Sequence, residues 1–577
     1  MTGRGLCRLS LDGSRRVRLA WETWWRPGGL AFGPVKARVL VVLGAAQFLM
    51  VLDQAVMNVS ISQLVADFHT DVTTIQAVIT FYSLVMAALM ITGGKLGDRL
   101  GRRRAFTIGM VIYGAGSLVT AISQSVLVLA LGWSLLEGIG AALVLPALAA
   151  LVAGNFEGRD RAAAYGVLGG LAGAGIAVGP ILGGWVTTNL TWRVVFLGEV
   201  VVAVAILALM GWISDAPRQG EPPELDWVGA VLSALGLGLI VYGVLQSSTW
   251  GWVTPRNSPV TVFGFSLTLF VIVGGAVVLA GFVRWQRFRE SRGRDPLVRL
   301  DRLRLPALRS GLWMFLAQNL ILMGIFFVVP LYLEVVQGYD AFETGLRMLP
   351  VSVTLFAVAM SGPVLARHFG PRRVIRAGLV VLMVGAVGLV AVLKPDIVTT
   401  PFLVAMGVIG VGIGLLSSQL GNVVQSSVDA EARSEAGGLQ YTSQQLGAAL
   451  GTALIGAVVI GSLAAGLGRA VSADPRISES VSKQVGVQLE SGVSFVPVTK
   501  VEAGLHDAGV PAEESAAIVE HYSDSQLQAL RAGLMLAALL ALAALAFTGG
   551  LPVTAATADP DEPGPDAAPE PSRSGSP

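Results

Sequence analysis

GGKLGDRLGRRR (Gly93 to Arg104) separates two long apolar runs. Positive charge alone would hold such a loop on one side of a membrane, and Lys95, Arg99, Arg102, Arg103 and Arg104 supply it. That demand leaves Asp98 and the spaced glycines unexplained. Gly93, Gly94, Gly97 and Gly101 let a helix end come close to a neighbour. Asp98 can accept hydrogen bonds from Arg102 or Arg103, or meet the amino end of an adjacent helix, where the macrodipole favours negative charge. The segment reads as a close-packed joint between membrane helices.

The rest of the chain fits that joint. A bilayer core needs about 20 apolar residues in a helix. Fourteen stretches qualify: 38–61, 74–94, 105–122, 127–152, 162–186, 193–213, 227–247, 260–283, 311–334, 345–366, 374–393, 401–421, 437–463 and 529–548. Of 577 residues only 14% are charged and 53% are hydrophobic, against roughly 25% charged in soluble domains. A soluble fold is excluded, and an all-α integral membrane protein is expected. Cys7 is the single cysteine, so no internal disulfide forms. The four histidines (His69, His368, His506, His521) make no ligand pair, and no metal is expected. There is no phosphate-binding loop of the GxxxxGK type, so ATP is not the expected drive.

Basic residues set the sidedness. With the amino terminus inside, the inner loops hold the basic residues of 93–104, then Arg159 and Arg161, nine arginines from Arg284 to Arg309, and Arg367, Arg372 and Arg373. The short outer loops hold only Arg193, Arg256, Arg347 and Lys394. This is the positive-inside pattern. Both termini are expected in the cytoplasm, and the protein in the plasma (cell inner) membrane. Residues 1–36 form a basic cytoplasmic tail, either disordered or an over-extended start. Residues 465–528 are expected as one long exterior loop carrying a partly helical cap. Residues 551–577, rich in Pro, Asp, Glu and Ser, are expected as a disordered cytoplasmic tail.

GPVLARHFGPRR (362–373) repeats the opening segment, with Gly370 standing where Gly101 does. If the seventh and eighth spans are an insertion, each copy follows the second helix of a six-helix half, an arrangement found in transporters. The expected division is an N-terminal six-helix bundle (37–214), two inserted helices (215–284), a basic cytoplasmic linker (285–310) and a C-terminal six-helix bundle (311–550).

With these features the chain resembles the major facilitator superfamily, in particular its fourteen-span drug:proton antiporter branch (the EmrB/QacA type), across residues 38 to 550. The resemblance makes Gly94, Gly97, Asp98, Arg99, Gly101, Arg102 and Arg103 a conformational latch of the outward-open state. GIAVGPILGG in the fifth span is similar to the family's antiporter motif, through Gly175, Gly179, Pro180, Gly183 and Gly184. Glycines four apart give a flat face for close packing, and the proline permits a bend. LDQAVMNVSI in the first span resembles the family's LDxTIVNVAL element, with Ala55 and Ser60 as departures. The stretches 225–252 and 326–350 match the branch's extra helix pair and its ninth span.

Two further departures bear on coupling. In WSLLEGIGAALVLPA (133–147) the family places an Arg where Ser134 stands and usually a Gln where Glu137 stands, and in the sixth span Glu199 replaces an expected Asn. A lone acid in a span costs about 2.5–3.5 kcal/mol on insertion scales, so it usually meets a cavity or a partner. A carboxyl withheld from water prefers its neutral form, as a proton carrier near neutral pH must. Asp53, Glu137 and Glu199 are therefore the proton-coupling candidates, and an acidic interior favours protons or cationic cargo. A packing role is the alternative for each. Gln47, Asn58, Gln318, Asn319 and Gln444 are candidates for a substrate cavity, while Gln76, Gln419, Asn422, Gln440 and Gln445 either line it or join helices.

The resemblance implies a proton-coupled antiporter that exports drugs or other lipophilic or cationic small molecules by alternating access. It implies no enzymatic activity and no cofactor beyond the proton gradient. The expected partners are that small-molecule substrate, protons and the lipid bilayer, with no nucleic acid, and the chain acts as a monomer. An exporter of an endogenous lipid, peptide or secondary metabolite stays open on the same fold.

Overall fold

The computed structural model describes residues 33–553 except 71, 215–223, 256–257, 396 and 492–494. Most of the basic tail, Cys7 included, and the acidic tail from residue 554 lie outside the described residues. Fourteen described helices are long and apolar enough to cross a membrane. They are α1 (Pro34–Val59), α2 (Val72–Leu100), α3 (Arg102–Ala121), α4 (Val126–Asn155), α5 (Gly158–Asn189), α6 (Arg193–Leu209), α7 (Trp227–Trp250), α8 (Leu267–Ser291), α9 (Pro306–Pro330), α10 (Ala341–Phe369), α11 (Pro371–Val392), α12 (Thr399–Ser426), α13 (Arg433–Ala473) and α14 (Ala512–Ala544). Each span satisfies its own backbone, as the hydrocarbon requires.

Two separate cores divide the molecule. Helices α1–α6 bury Leu43, Phe106, Trp133 and Phe196 in one. Helices α9–α14 bury Ile321, Leu379, Phe402 and Leu534 in the other. The halves meet where α2 and α4 pack on α13, and where α5 packs on α10 and α12. The inserted pair bridges them. Val241 and Val244 of α7 pack with Ala87 of α2 and with Ala449 and Ala453 of α13, while α8 rests on α7. Asp226, a family marker with no chemistry assigned from sequence, caps α7 by accepting from the Gly229 amide (2.9 Å). It also accepts from Trp285 and Gln286 of α8 (2.9 Å each), fixing the pair together.

The internal repeat has a backbone counterpart. Gly101 and Gly370 both take positive φ, 98° and 76°, and each stands at the start of the next helix. Each donates its amide to the preceding helix, to Gly97 O and Ala366 O, and accepts from the following one, from Ala105 N and Val374 N. Only glycine adopts that conformation without a steric penalty.

The segment expected as a long exterior loop is shorter than expected. α13 continues to Ala473 and α14 begins at Ala512, so only 474–511 connects them, partly as helices Glu479–Ser491 and Val498–Asp507. At about 1.5 Å per residue α13 is roughly 60 Å long, twice the hydrocarbon thickness. The reason is a continued apolar seam: Leu463, Leu467 and Val471 of α13 lie in one core with Ala517, Ile518 and Tyr522 of α14. Polar outer faces hid it from a reading based on hydropathy.

Asp474 pins the connector. It accepts from the Arg476 guanidinium (2.8 Å) and amide (2.8 Å) and contacts His521 Nε2 of α14 (2.7 Å). The Arg476 side chain foremost, then its amide and His521, hold the carboxyl well below its usual range. A depressed carboxylate stabilises the fold above its ordinary value of about 3.9, and that contribution fades as pH falls through the depressed folded value. Asp474→Asn is therefore expected to speed hydrogen exchange in 474–522 at pH 7, with the gap from wild type closing only in strong acid. Equal exchange at pH 7 would refute this.

Candidate functional site

α4 widens into a π-helix over Ala130–Glu137. Such turns carry an extra residue and often mark functional places. Here the turn buries Trp133, Ser134 and Glu137 together. Ser134, where the family has Arg, donates to Val78 O of α2 (2.7 Å). Glu137 meets Asp53 of α1 and Glu199 of α6, with one oxygen of each within 4.8 Å of the others. All three side chains are buried.

Each acid has one bonded oxygen. Trp133 Nε1 donates to Asp53 Oδ1 (2.7 Å), and Thr120 to Glu137 Oε1 (3.1 Å). Tyr113 and Ser117 of α3 donate to Glu199 Oε2 (3.1 and 3.2 Å). The other oxygens, Asp53 Oδ2, Glu137 Oε2 and Glu199 Oε1, have no hydrogen-bond partner among the described residues. Nor does any of the three acids pair with a basic side chain among the described residues. Two unit charges at that spacing repel by roughly 3.5 kcal/mol at an effective dielectric of about 20. Charge on any one of the three therefore disfavours charge on the other two.

The trio does not face the central cavity. That space, about 850 Å³, lies between the halves and reaches Ile61, Leu331, Glu334 and Thr344 at the end opposite the basic loops. Gln47, Gln318, Asn319 and Gln444 all line it; the side chain of Asn58 lies outside the described residues, as does that of Gln76. Gln47 accepts from Tyr441 (3.0 Å), joining α1 to α13, and Gln318 donates to Ser417 (2.7 Å). Gln440 and Gln445 are on the wall as well, whereas Gln419 bonds Gly362 O and Asn422 accepts from Arg161. Gln54 and Tyr441 also line it without having been singled out, as does Glu334, which the sequence shows only as an acid near the outer end of the ninth span. Gln54 adjoins Asp53, so one turn of α1 sends an acid into the bundle and an amide into the cavity.

The basic end is closed by contacts between halves. Arg102 donates to Ala430 O, Arg433 to Ala153 O (2.8 Å), and Arg161 to Ser426 Oγ (2.7 Å). Asp98 faces Ser434 in the first turn of α13, with Arg102 and Lys95 nearby. Arg99 is exposed and Arg103 half-buried. Gly94 and Gly97 lie against Ser434, and Gly438 against Met90 of α2.

Glycines of α5 serve two faces. Gly175, Gly179 and Gly183 abut Val51, Ala55 and Val56 of α1. A β-carbon at Gly179 would come within 2.3 Å of the Ala55 Cβ, so the small residue in place of the family's Thr fits a tight crossing. Gly166 and Gly173 pack instead on Ala359 and Leu355 of α10, across the halves. Gly184 is buried, and the ring of Pro180 lies outside the described residues.

The family profile of the Major Facilitator Superfamily matches residues 43–452. A probable actinorhodin transporter of Streptomyces coelicolor is 30% identical over 452 residues, 76% of this chain and 75% of that one. The tetracenomycin C resistance and export protein of Streptomyces glaucescens is 28% identical, covering 76% and 80%. The puromycin resistance protein of Streptomyces alboniger is 31% identical, covering 74% and 82%. Among solved structures, the human organic anion transporter MFSD10 (TETRAN) is alike in fold, with a TM-score of 0.55 at 12% identity over 89% of this chain and 100% of that one. With the profile running through both halves and the inserted pair between them, the chain belongs to the major facilitator superfamily.

Proposed function

We propose that the chain is a proton-driven exporter of lipophilic or cationic small molecules, a transporter and not an enzyme. Its basic end and both termini face the cytoplasm, and it works in the plasma membrane. One observation carries this reading: three buried carboxyls, without a basic partner among the described residues, stand beside, and not inside, a cavity lined by amides, methionines and aromatics between two bundles. The names of the relatives, which speak of transport, resistance and export, support the outward direction and a small-molecule cargo.

The two events then occupy different places. Asp53 and Gln54 share a turn of α1, and α4 carries both Glu137 and the cavity residues Leu145 and Leu148. Protonation of the trio changes how α1, α4 and α6 pack, while cargo changes how the halves fit around the cavity. Competition is between conformations, not for one pocket. On the proposed orientation the closed basic end makes this the outward-facing state. One charge falling through about 100 mV supplies about 2.3 kcal/mol, enough for a roughly 50-fold cargo gradient. Both halves belong to one chain, so a monomer suffices, and no cofactor is required. The length of α13 favours a second reading, in which the cargo is a bulky endogenous lipid, peptide or secondary metabolite.

The test uses purified protein in proteoliposomes loaded with a fluorescent lipophilic cation. An imposed proton gradient without sodium is expected to drive the dye at least tenfold faster than in protein-free vesicles. Movement only under a sodium gradient, or under neither, would overturn the proton drive.

A further inference from the structure

Glu334 is the single acidic or basic side chain lining the cavity among the described residues. It is exposed, and it stands on a second π-helical turn, Leu331–Val336, that follows Pro330 at the end of α9. Proline cannot donate to the helical ladder, and a widened turn there redirects the side chains that follow. The charged neighbour that Glu334 feels is another acid, Asp340. Asp340 is held as the cap of α10, accepting from the Glu343 amide (2.7 Å). Arg347, two turns along α10, is folded onto the Tyr339 ring, 3.5 Å from its centre, and donates to Glu343 O (3.4 Å). The cavity mouth therefore carries uncompensated negative charge, and a low-dielectric wall strengthens its field. Met323, Phe326 and Phe327 line the cavity about two to three turns before Glu334, offering polarizable and aromatic surface suited to a cation.

We infer that Glu334 is the residue by which this cavity selects lipophilic monocations over neutral cargo of the same shape. It docks the cationic centre at the mouth while the apolar body lies on Met323, Phe326 and Phe327. The inference rests on the exporter reading but not on the buried trio, whose acids do not reach the cavity. It assigns cation preference to an acid outside the set of Asp53, Glu137 and Glu199.

The experiment compares binding of tetraphenylphosphonium and of neutral triphenylphosphine oxide to the detergent-purified full chain, by calorimetric titration. Glu334→Gln is expected to weaken tetraphenylphosphonium at least tenfold and to leave the neutral probe within twofold. Glu334→Asp keeps cation binding within about threefold, which a merely structural role would not require. Equal weakening of both probes, or no change in either, overturns the assignment while leaving the exporter reading in place. Wild-type protein that binds neither probe overturns both.

Discussion

Replacing Glu137 with Gln leaves a protein that folds, binds cargo and no longer concentrates it. Gln is close to isosteric with Glu, and its amide oxygen still accepts from Thr120 across the 3.1 Å contact. What disappears is the exchangeable proton of one of three crowded carboxyls. The cavity wall is untouched, because Glu137 does not line it. Gradient-driven efflux is expected to fall at least tenfold, while equilibrium binding of the same dye stays within about threefold. Asp53→Asn should behave alike, since Asn keeps an acceptor for Trp133 Nε1. Thermal stability should hold or rise in both, because one of three crowded acids can no longer repel its neighbours. Efflux at the wild-type rate in both variants would remove the trio from coupling. A parallel loss of binding would show that the acids act through the shape of the cavity instead.

The legible and illegible parts of this chain divide along physical lines. The spans were readable because hydrocarbon demands about 20 apolar residues and an internally bonded backbone. Gly101 and Gly370 were readable because a positive φ restricts the residue, and two copies of one turn then align. The acids Asp53, Glu137 and Glu199 stood out singly, since a carboxyl in an apolar run is rare. Their meeting was not legible: it depends on a π-helical turn in α4 and on three helices distant in sequence packing together. Which side of α1 faces the cavity was hidden for the same reason, so Gln54 and Asp53 could not be told apart by location. Glu334 was visible as an acid near a span end, but its importance comes from what the rest of the wall lacks. The extension of α13 past Leu463 was missed because a two-helix seam needs few apolar residues per turn, and hydropathy averages them away.

Gly94→Val should prevent the basic end from closing. A β-carbon at Gly94 would sit 2.6 Å from Ser434 O, and one at Gly438 would sit 2.8 Å from Met90 O. Both obstacles are backbone atoms of the opposite half, so no side chain can swing aside. Overpacking costs about 1–3 kcal/mol, and here the cost falls on one conformation only, because these surfaces separate when the halves rock. A bias of that size shifts a two-state equilibrium by roughly 5- to 150-fold. Export should drop at least tenfold in Gly94→Val and in Gly438→Val, with normal insertion and cargo binding. Gly198→Val is the control, since nothing lies within 4 Å of a β-carbon built there. The conformational shift can be read directly with Asn319→Cys in a Cys7→Ser background, using a charged thiol reagent applied from the side opposite the basic loops. Asn319 lines the cavity, so labelling is fast when the basic end is closed and should slow about tenfold when Gly94 becomes Val. Labelling and export at parental rates would mean that the glycine contacts are ordinary packing, with no part in setting which side the cavity faces.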